Sequence, residues 1–330
     1  MSAVGLVFGS LTPPERIPRA AARAEDLGFD ELWFSEDCFF SGGMSGAAAL
    51  LAATRRIPVG TGIVSLMSRH PAVTAMEFAG LARSHPGRLR PGVGLGVRAW
   101  LTQMGVMPAA PLTALDGGVG ILRALLAGEE VTFHGTAHHL DGVRLDFPPG
   151  ERLPIQIGAV NEKALRLSGR VADGTILSVL ASPAYVRWAR DVLTRAAADA
   201  GRRADTPHRL TTYVLYAVDS DPERARRAVR PAVEMFLRAE ATSSLVRVPG
   251  FDAELAALLA AGPEVPLAPR ITDAWLDRFA VAGTPEQCAE RLNDLLDAGS
   301  DAVALWPLPT DRADDVAELT AREVLPRLRR

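Results

Sequence analysis

Two acidic side chains, Glu36 and Asp37, directly follow the apolar run ELWFS at 31–35. A carboxylate at the end of a buried strand can accept hydrogen bonds from a ring edge or handle a proton. It can equally well cap a helix. His70 stands before a proline in SRHPAVTA and is a third group able to move a proton near neutrality. The segment GAVNEKAL suits an anion instead. Gly158 and Ala159 leave room for close backbone approach, and Val160 leads into Asn161, a candidate helix N-cap. Lys163 would then lie in the first helical turn, where free amides and the helix dipole favour negative charge. It is the single lysine among 36 basic residues, and a solvent-facing place would suit it as well. GVGLG at 92–96 resembles part of a dinucleotide loop without its full spacing, and also reads as a strand end that a ligand approaches closely. His134, His138 and His139 fall in an expected hairpin whose alternation puts the last two on opposite faces, so no metal is expected there.

Positioning these groups falls to short apolar runs alternating with amphipathic segments. Strands are expected at 3–9, 31–35, 57–66, 89–95, 153–157, 174–179, 210–218 and 302–306, each followed by a helix. Pro91 weakens the fourth for a central place in a sheet. Helix-linked strands run parallel, and eight of them favour a closed (β/α)8 TIM barrel over an open doubly wound sheet. The α/β class follows, as one domain over 1–330 with a hairpin insertion at about 130–147 and a helical insertion at about 239–296, before strand eight. In such a barrel the chemistry belongs to the C-terminal strand ends. Those ends hold Gly9 and Ser10, Glu36 and Asp37, Gly62 and Ile63, Leu95 to Val97, Gly158 to Asn161, Ser178 and Val179, and Trp306.

Length alone, at 330 residues, suggests two domains, but a barrel absorbs it in one. A net charge of -3 provides no basic surplus for a phosphate backbone, which argues against nucleic acid as a partner. Cys38 and Cys288 form neither a disulfide framework nor a metal-ligand spacing, which suits a reducing cytoplasm. The chain has no charged n-region before its first short apolar run, and no stretch nears the roughly 20 apolar residues of a membrane span.

Several segments together resemble the luciferase-like monooxygenase superfamily: AARAEDLGFDELWFSED, IPVGTGIVSLMSRHPAVTAMEFAGLARSHPGRLRPGVGLG, LPIQIGAVNEKALRLSGRVADGTILS and AVAGTPEQCAERLNDLLDAGSDAVALWP. The Arg-His-Pro stretch is similar to that of the branch using the deazaflavin coenzyme F420, the methylenetetrahydromethanopterin reductase-like proteins. The resemblance implies a non-prolyl cis peptide at Gly62–Ile63 behind the cofactor ring, and contact of Glu36 with that ring. It implies that Leu95, Gly96 and Val97 line the ring and ribityl chain. Gly158, Ala159, Val160 and Asn161 would bind the phosphate region, helped by Ser178 and Val179.

Two departures bear on the substrate. Val97 stands where sugar-phosphate-oxidising relatives have a glutamate, and Glu36–Asp37 replaces an Asp-His pair. The implied activity is hydride transfer between F420 and a small organic substrate, reducing a C=N or C=C bond, with Glu36, Asp37 or His70 as proton donor. The alternatives are an FMN-dependent monooxygenase of the same fold and a non-catalytic ligand- or partner-binding barrel. A homodimer through helices near strands two and three is also implied. Substrate choice would fall to 239–269 and to the loop after Val97, with Trp100, Met104 and Met107.

Overall fold

The computed structural model describes residues 2–9, 11–203, 205–262 and 265–329, so Ser10 lies outside the described residues. Eight parallel strands form the barrel expected from the strand–helix repeat. They are β1 (Ala3–Phe8), β2 (Glu31–Phe34), β3 (Val59–Thr61 and Val64–Ser65), β4 (Leu89–Arg90 and Gly92–Gly94), β5 (Gln156–Gly158), β6 (Gly174–Leu177), β7 (Arg209–Val218) and β8 (Ala302–Pro307). Pairing runs from β3 through β2, β1, β8, β7, β6 and β5 to β4, and β4 returns to β3.

That return is interrupted at both partners. β3 breaks at Gly62–Ile63 and β4 at Pro91, so the lower halves pair as Val59 with Leu89 and the upper halves as Val64 with Val93. Proline has no N–H to donate to the ladder. Across the gap the Thr61 hydroxyl substitutes, accepting from Gly92 N at 2.9 Å and donating to Gly92 O at 2.8 Å. The Pro91 carbonyl stays in register by accepting from Gln156 N at 2.8 Å. Pro91 is therefore tolerated inside the sheet because a side chain replaces the missing bond.

Helices cover the outside. α1 (Ile17–Asp26) turns Ile17, Ala21 and Ala24 inward, the spacing visible in the sequence. α2 (Gly43–Ala53), α3 (Pro71–Ser84), α4 (Arg98–Gln103) and α5 (Pro111–Leu126) follow the next strands. The hairpin pairs Val131–His134 with His139–Val143. α6 (Glu162–Val171) and α7 (Pro183–Asp199) follow β5 and β6.

The chain then makes an excursion of α8 (Pro222–Ala239), α9 (Ser244–Arg247), α10 (Asp252–Leu259) and α11 (Asp273–Phe279). It rejoins the sheet at a short strand, Val281–Gly283, beside the end of β7. The stretch 239–296 thus holds α9, α10, α11 and α12 (Pro285–Asp297), whose Thr284–Gln287 capping box opens the helix that leads into β8. The short strand inside it has only three residues, too few to leave a period in the sequence.

The barrel floor is ionic. Glu31, 2% exposed, pairs with Arg90 at 3.1 Å and with Arg209, and accepts from Trp33 Nε1 at 3.1 Å. On the helix side of the sheet, where Thr175 meets Ser168 of α6 at 2.7 Å, His208 bonds Thr175 Oγ1 through Nε2 at 2.8 Å. Burial first, then Arg202 and Arg190, push the His208 imidazole down from 6.5 to about 4. As pH falls, the unfolded chain takes up this proton before the folded one does. The stability tied to His208 is therefore complete above about 6.5 and is lost toward 4, roughly 3 kcal/mol in all. Urea midpoints between pH 7.5 and 4.5 should fall less steeply for His208→Gln than for the parent, and parallel slopes would refute the assignment.

Candidate active site

The C-terminal strand ends meet in a mouth whose floor is smooth. The Gly62–Ile63 peptide is cis, at the pair named from the sequence. The Ile63 side chain lies between two glycines: a Cβ on Gly94 would come within 3.0 Å of Ile63 Cδ1, and one on Gly158 within 2.9 Å of Cγ2. Gly62 donates to Phe34 O at 2.8 Å, and from below the Tyr213 hydroxyl occupies the space a Cβ would need. Tyr213 crosses the barrel from β7, edge-on to Trp33 at 6.0 Å. Its hydroxyl has no hydrogen-bond partner among the described residues, and burial, with Glu31 and Asp37 nearby, holds the phenol neutral. Three backbone-lined strand ends and one aliphatic plug make a surface on which a planar ring can lie.

Glu36 is not a free acid. Its carboxylate takes a two-pronged ion pair from Arg69, at 3.1 and 3.0 Å, and accepts from Gly43 N at 2.6 Å at the start of α2. Arg69 also approaches Glu77 at 3.5 Å, and these carboxylates hold the guanidinium above its usual range against its own burial. Both Glu36 oxygens are thus committed, which makes it a fixed anchor between β2, α2 and the loop after β3. Asp37 next to it is half-buried, and its charge, with that of Glu36, raises the Cys38 thiol beyond what burial alone does.

His70 faces elsewhere. Its Nδ1 accepts from Ala72 N at 3.2 Å, capping α3, and its ring stands edge-on to His138 at 6.0 Å. Both line a side cavity of about 340 Å³ with Met67, Val106 and Met107. His138 is buried on Ala114 O at 3.1 Å while His139 faces His134 on the outside, the opposite placement that strand alternation requires.

On the mouth's other wall the Leu95 carbonyl accepts from Ser65 Oγ at 2.6 Å. Gly96 takes φ +87°, and Val97, 47% exposed, starts α4. Ala159 is buried, with its amide on Ile176 O at 3.1 Å, and the Val160 carbonyl accepts from Tyr185 Oη at 2.6 Å. Ser178 is half-buried and Val179 buried, ahead of Leu180, whose φ of +69° is unusual for a branched residue.

Asn161 departs from expectation. It occupies the N-cap position of α6, but its side chain makes no capping bond. Instead Oδ1 accepts from Ser244 N at 2.9 Å and Ser244 Oγ at 3.1 Å, because α9 arrives there from the excursion. The first turn of α6 is left without a side-chain cap, with exposed Lys163 in it and Arg247 held nearby by its bond to Ser244 Oγ at 3.0 Å. An uncapped helix start flanked by two cations is a receptive place for a phosphate.

Arg69, Tyr213, Ser244 and Arg247 were missed as site residues. Only Arg69 carried a signal, the Arg-His-Pro stretch itself. Among the described residues no helix is long and apolar enough to cross a membrane.

Comparison with known proteins is consistent with this arrangement. A family model described as luciferase-like monooxygenase matches residues 4–302. The chain is 29% identical over 326 residues to the 5,10-methylenetetrahydromethanopterin reductase of Methanolobus tindarius, covering 97% of this chain and 99% of that one. It is also 29% identical over 329 residues to the F420-dependent glucose-6-phosphate dehydrogenase of Nakamurella multipartita, covering 96% and 93%. Among solved structures, the coenzyme F420-dependent tetrahydromethanopterin reductase of Methanopyrus kandleri superposes with a TM-score of 0.84 at 22% identity, covering 99% of each chain. The chain belongs to the luciferase-like monooxygenase family.

Proposed function

We propose that this protein is an oxidoreductase that transfers hydride between coenzyme F420 and a small organic substrate, reducing a C=N or C=C bond. The observation that carries the reading is the end-to-end likeness to relatives named for that coenzyme, set on a mouth that fits its parts. When bound, the deazaflavin supplies the hydride at C5. The chain's own residues do the rest. Gly62, Ile63, Gly94 and Gly158 form the ring's seat, with Leu95, Gly96 and Val97 beside it. Gly158 to Asn161, Ser178 and Val179 frame the phosphate region, where the α6 amides, Lys163 and Arg247 supply positive charge. Glu36 is held by Arg69 and keeps the ring edge in place, and half-buried Asp37 beside it is the proton-handling group at the mouth, ahead of the capping His70.

Replacing Lys163 with alanine should weaken F420 binding about fivefold, the effect of one cation at a helix start. Fluorescence titration reads this directly, and an unchanged dissociation constant would return Lys163 to the solvated surface.

A homodimer belongs to the same reading. Leu50 and Leu51 of the apolar α2 run are buried within the chain, so that run needs no partner. On α3, however, Val73 and Met76 are 43% and 59% exposed, and a second copy would cover them. Free cysteines at Cys38 and Cys288 suit a cytoplasmic setting.

A further inference from the structure

Charge is unevenly spread around the mouth. On one side exposed Arg98 starts α4 after β4, Lys163 lies in the first turn of α6 after β5, and Arg247 of α9 is held by Ser244 beside Asn161, with Glu162 turned onto Arg166 at 2.8 Å. The arc above β8, β1 and β2 carries several apolar side chains. Trp306 is half-buried at the end of β8. It pairs in register with Leu215, two residues beyond the inward-facing Tyr213–Ala304 pair, so the indole also faces into the mouth. Phe236 of α8 stands edge-on to it at 5.9 Å. On the loops after β1 and β2, Leu11, Phe39 and Phe40 are 51%, 62% and 61% exposed. Single exposed apolar side chains are ordinary, but three on adjacent loops beside a half-buried tryptophan are a surface awaiting a ligand. The cations on these loops are each paired with a carboxylate, Arg69 with Glu36 at 3.0 Å, Arg16 with Asp314 at 3.2 Å and Arg312 with Asp315 at 3.2 Å.

We infer that the substrate is an uncharged, largely apolar ring compound, with Trp306 as the side chain that selects it. The inference rests on the F420 reading and deepens it. An α,β-unsaturated ketone represents the class. Hydride from reduced F420 forms a C–H bond at the β-carbon as the C=C π bond breaks. The α-carbon takes a proton from the Asp37 side, and the coenzyme ends oxidised. The cationic arc is left to the coenzyme's phosphate and acidic tail, which keeps the two ligands apart by charge.

The test uses the full chain, cyclohexenone and its ring-carboxylated analogue as probes, after a fluorescence titration with F420. The neutral enone should be reduced with a kcat/KM about tenfold above that of the carboxylate. Trp306→Ala should lower kcat/KM for the neutral enone by about tenfold, and Trp306→Phe should restore most of it, both with unchanged F420 affinity. F420 binding combined with equal or reversed preference, with turnover of neither probe, or with a Trp306→Ala variant as active as the parent would overturn this inference alone. Failure to bind F420 would overturn the reading beneath it as well.

Discussion

Gly62→Ala is expected to weaken F420 binding by at least about tenfold. A Cβ at this position would stand 1.6 Å from the Tyr213 hydroxyl and 2.5 Å from its Cζ. The phenol cannot step aside, because Trp33 flanks it and the residue is only 5% exposed. The methyl must therefore lift the Gly62–Ile63 seat toward the mouth, where the ring would lie. Overpacking of this kind costs roughly 1–3 kcal/mol of stability, and the same displacement should weaken coenzyme binding by at least about tenfold. Tyr213→Leu in the Gly62→Ala background makes the space again and should recover part of the lost affinity. Fluorescence titration of the four proteins in this cycle reads the coupling. Independent, additive effects would show that Tyr213 does not support the seat.

Glu31→Gln should be the most destabilising single change that leaves the mouth intact. It removes the one carboxylate between Arg90 and Arg209 and leaves two guanidiniums facing each other. Burial already holds Arg90 below its usual range, with Arg209 adding to that and Glu31 opposing it. Breaking a buried pair costs about 3–5 kcal/mol, and the lower end applies because both arginine side chains retain 29% exposure. Urea unfolding should show the loss. Glu31→Gln with Arg209→Met should regain part of it, since the second change removes the excess charge. F420 affinity of the folded variant should be unaltered, because this cluster lies at the opposite end of the strands from the mouth.

The barrel was legible because its strands are apolar runs flanked by helices of regular period, and period survives in a sequence. Pro91 was legible as a flaw in the fourth strand. Its remedy, the Thr61 hydroxyl on Gly92, was not, because the two meet only across the sheet. Asn161 illustrates the opposite failure. Its N-cap propensity is local, and a bond to Ser244 from a distant helix overrides it. Glu36 was visible as a carboxylate at a strand end, but its chemistry depends on Arg69 and Gly43, which only the fold brings to it. Tyr213 gave no sign at all. Inside a buried strand a tyrosine reads as core, and nothing local says that its hydroxyl will end beneath Gly62. The seat itself, Gly62–Ile63, was named only through the resemblance to a family, not from spacing or composition.

Equilibrium titration of the purified chain with F420 and, separately, with FMN, followed by competition between them, decides which coenzyme the mouth is built for. Saturable binding of one F420 per chain is expected, at least about tenfold tighter than FMN, and weakened by both Gly62→Ala and Lys163→Ala. Tight FMN binding that F420 cannot displace, or a folded chain that binds neither, would contradict the assignment of F420.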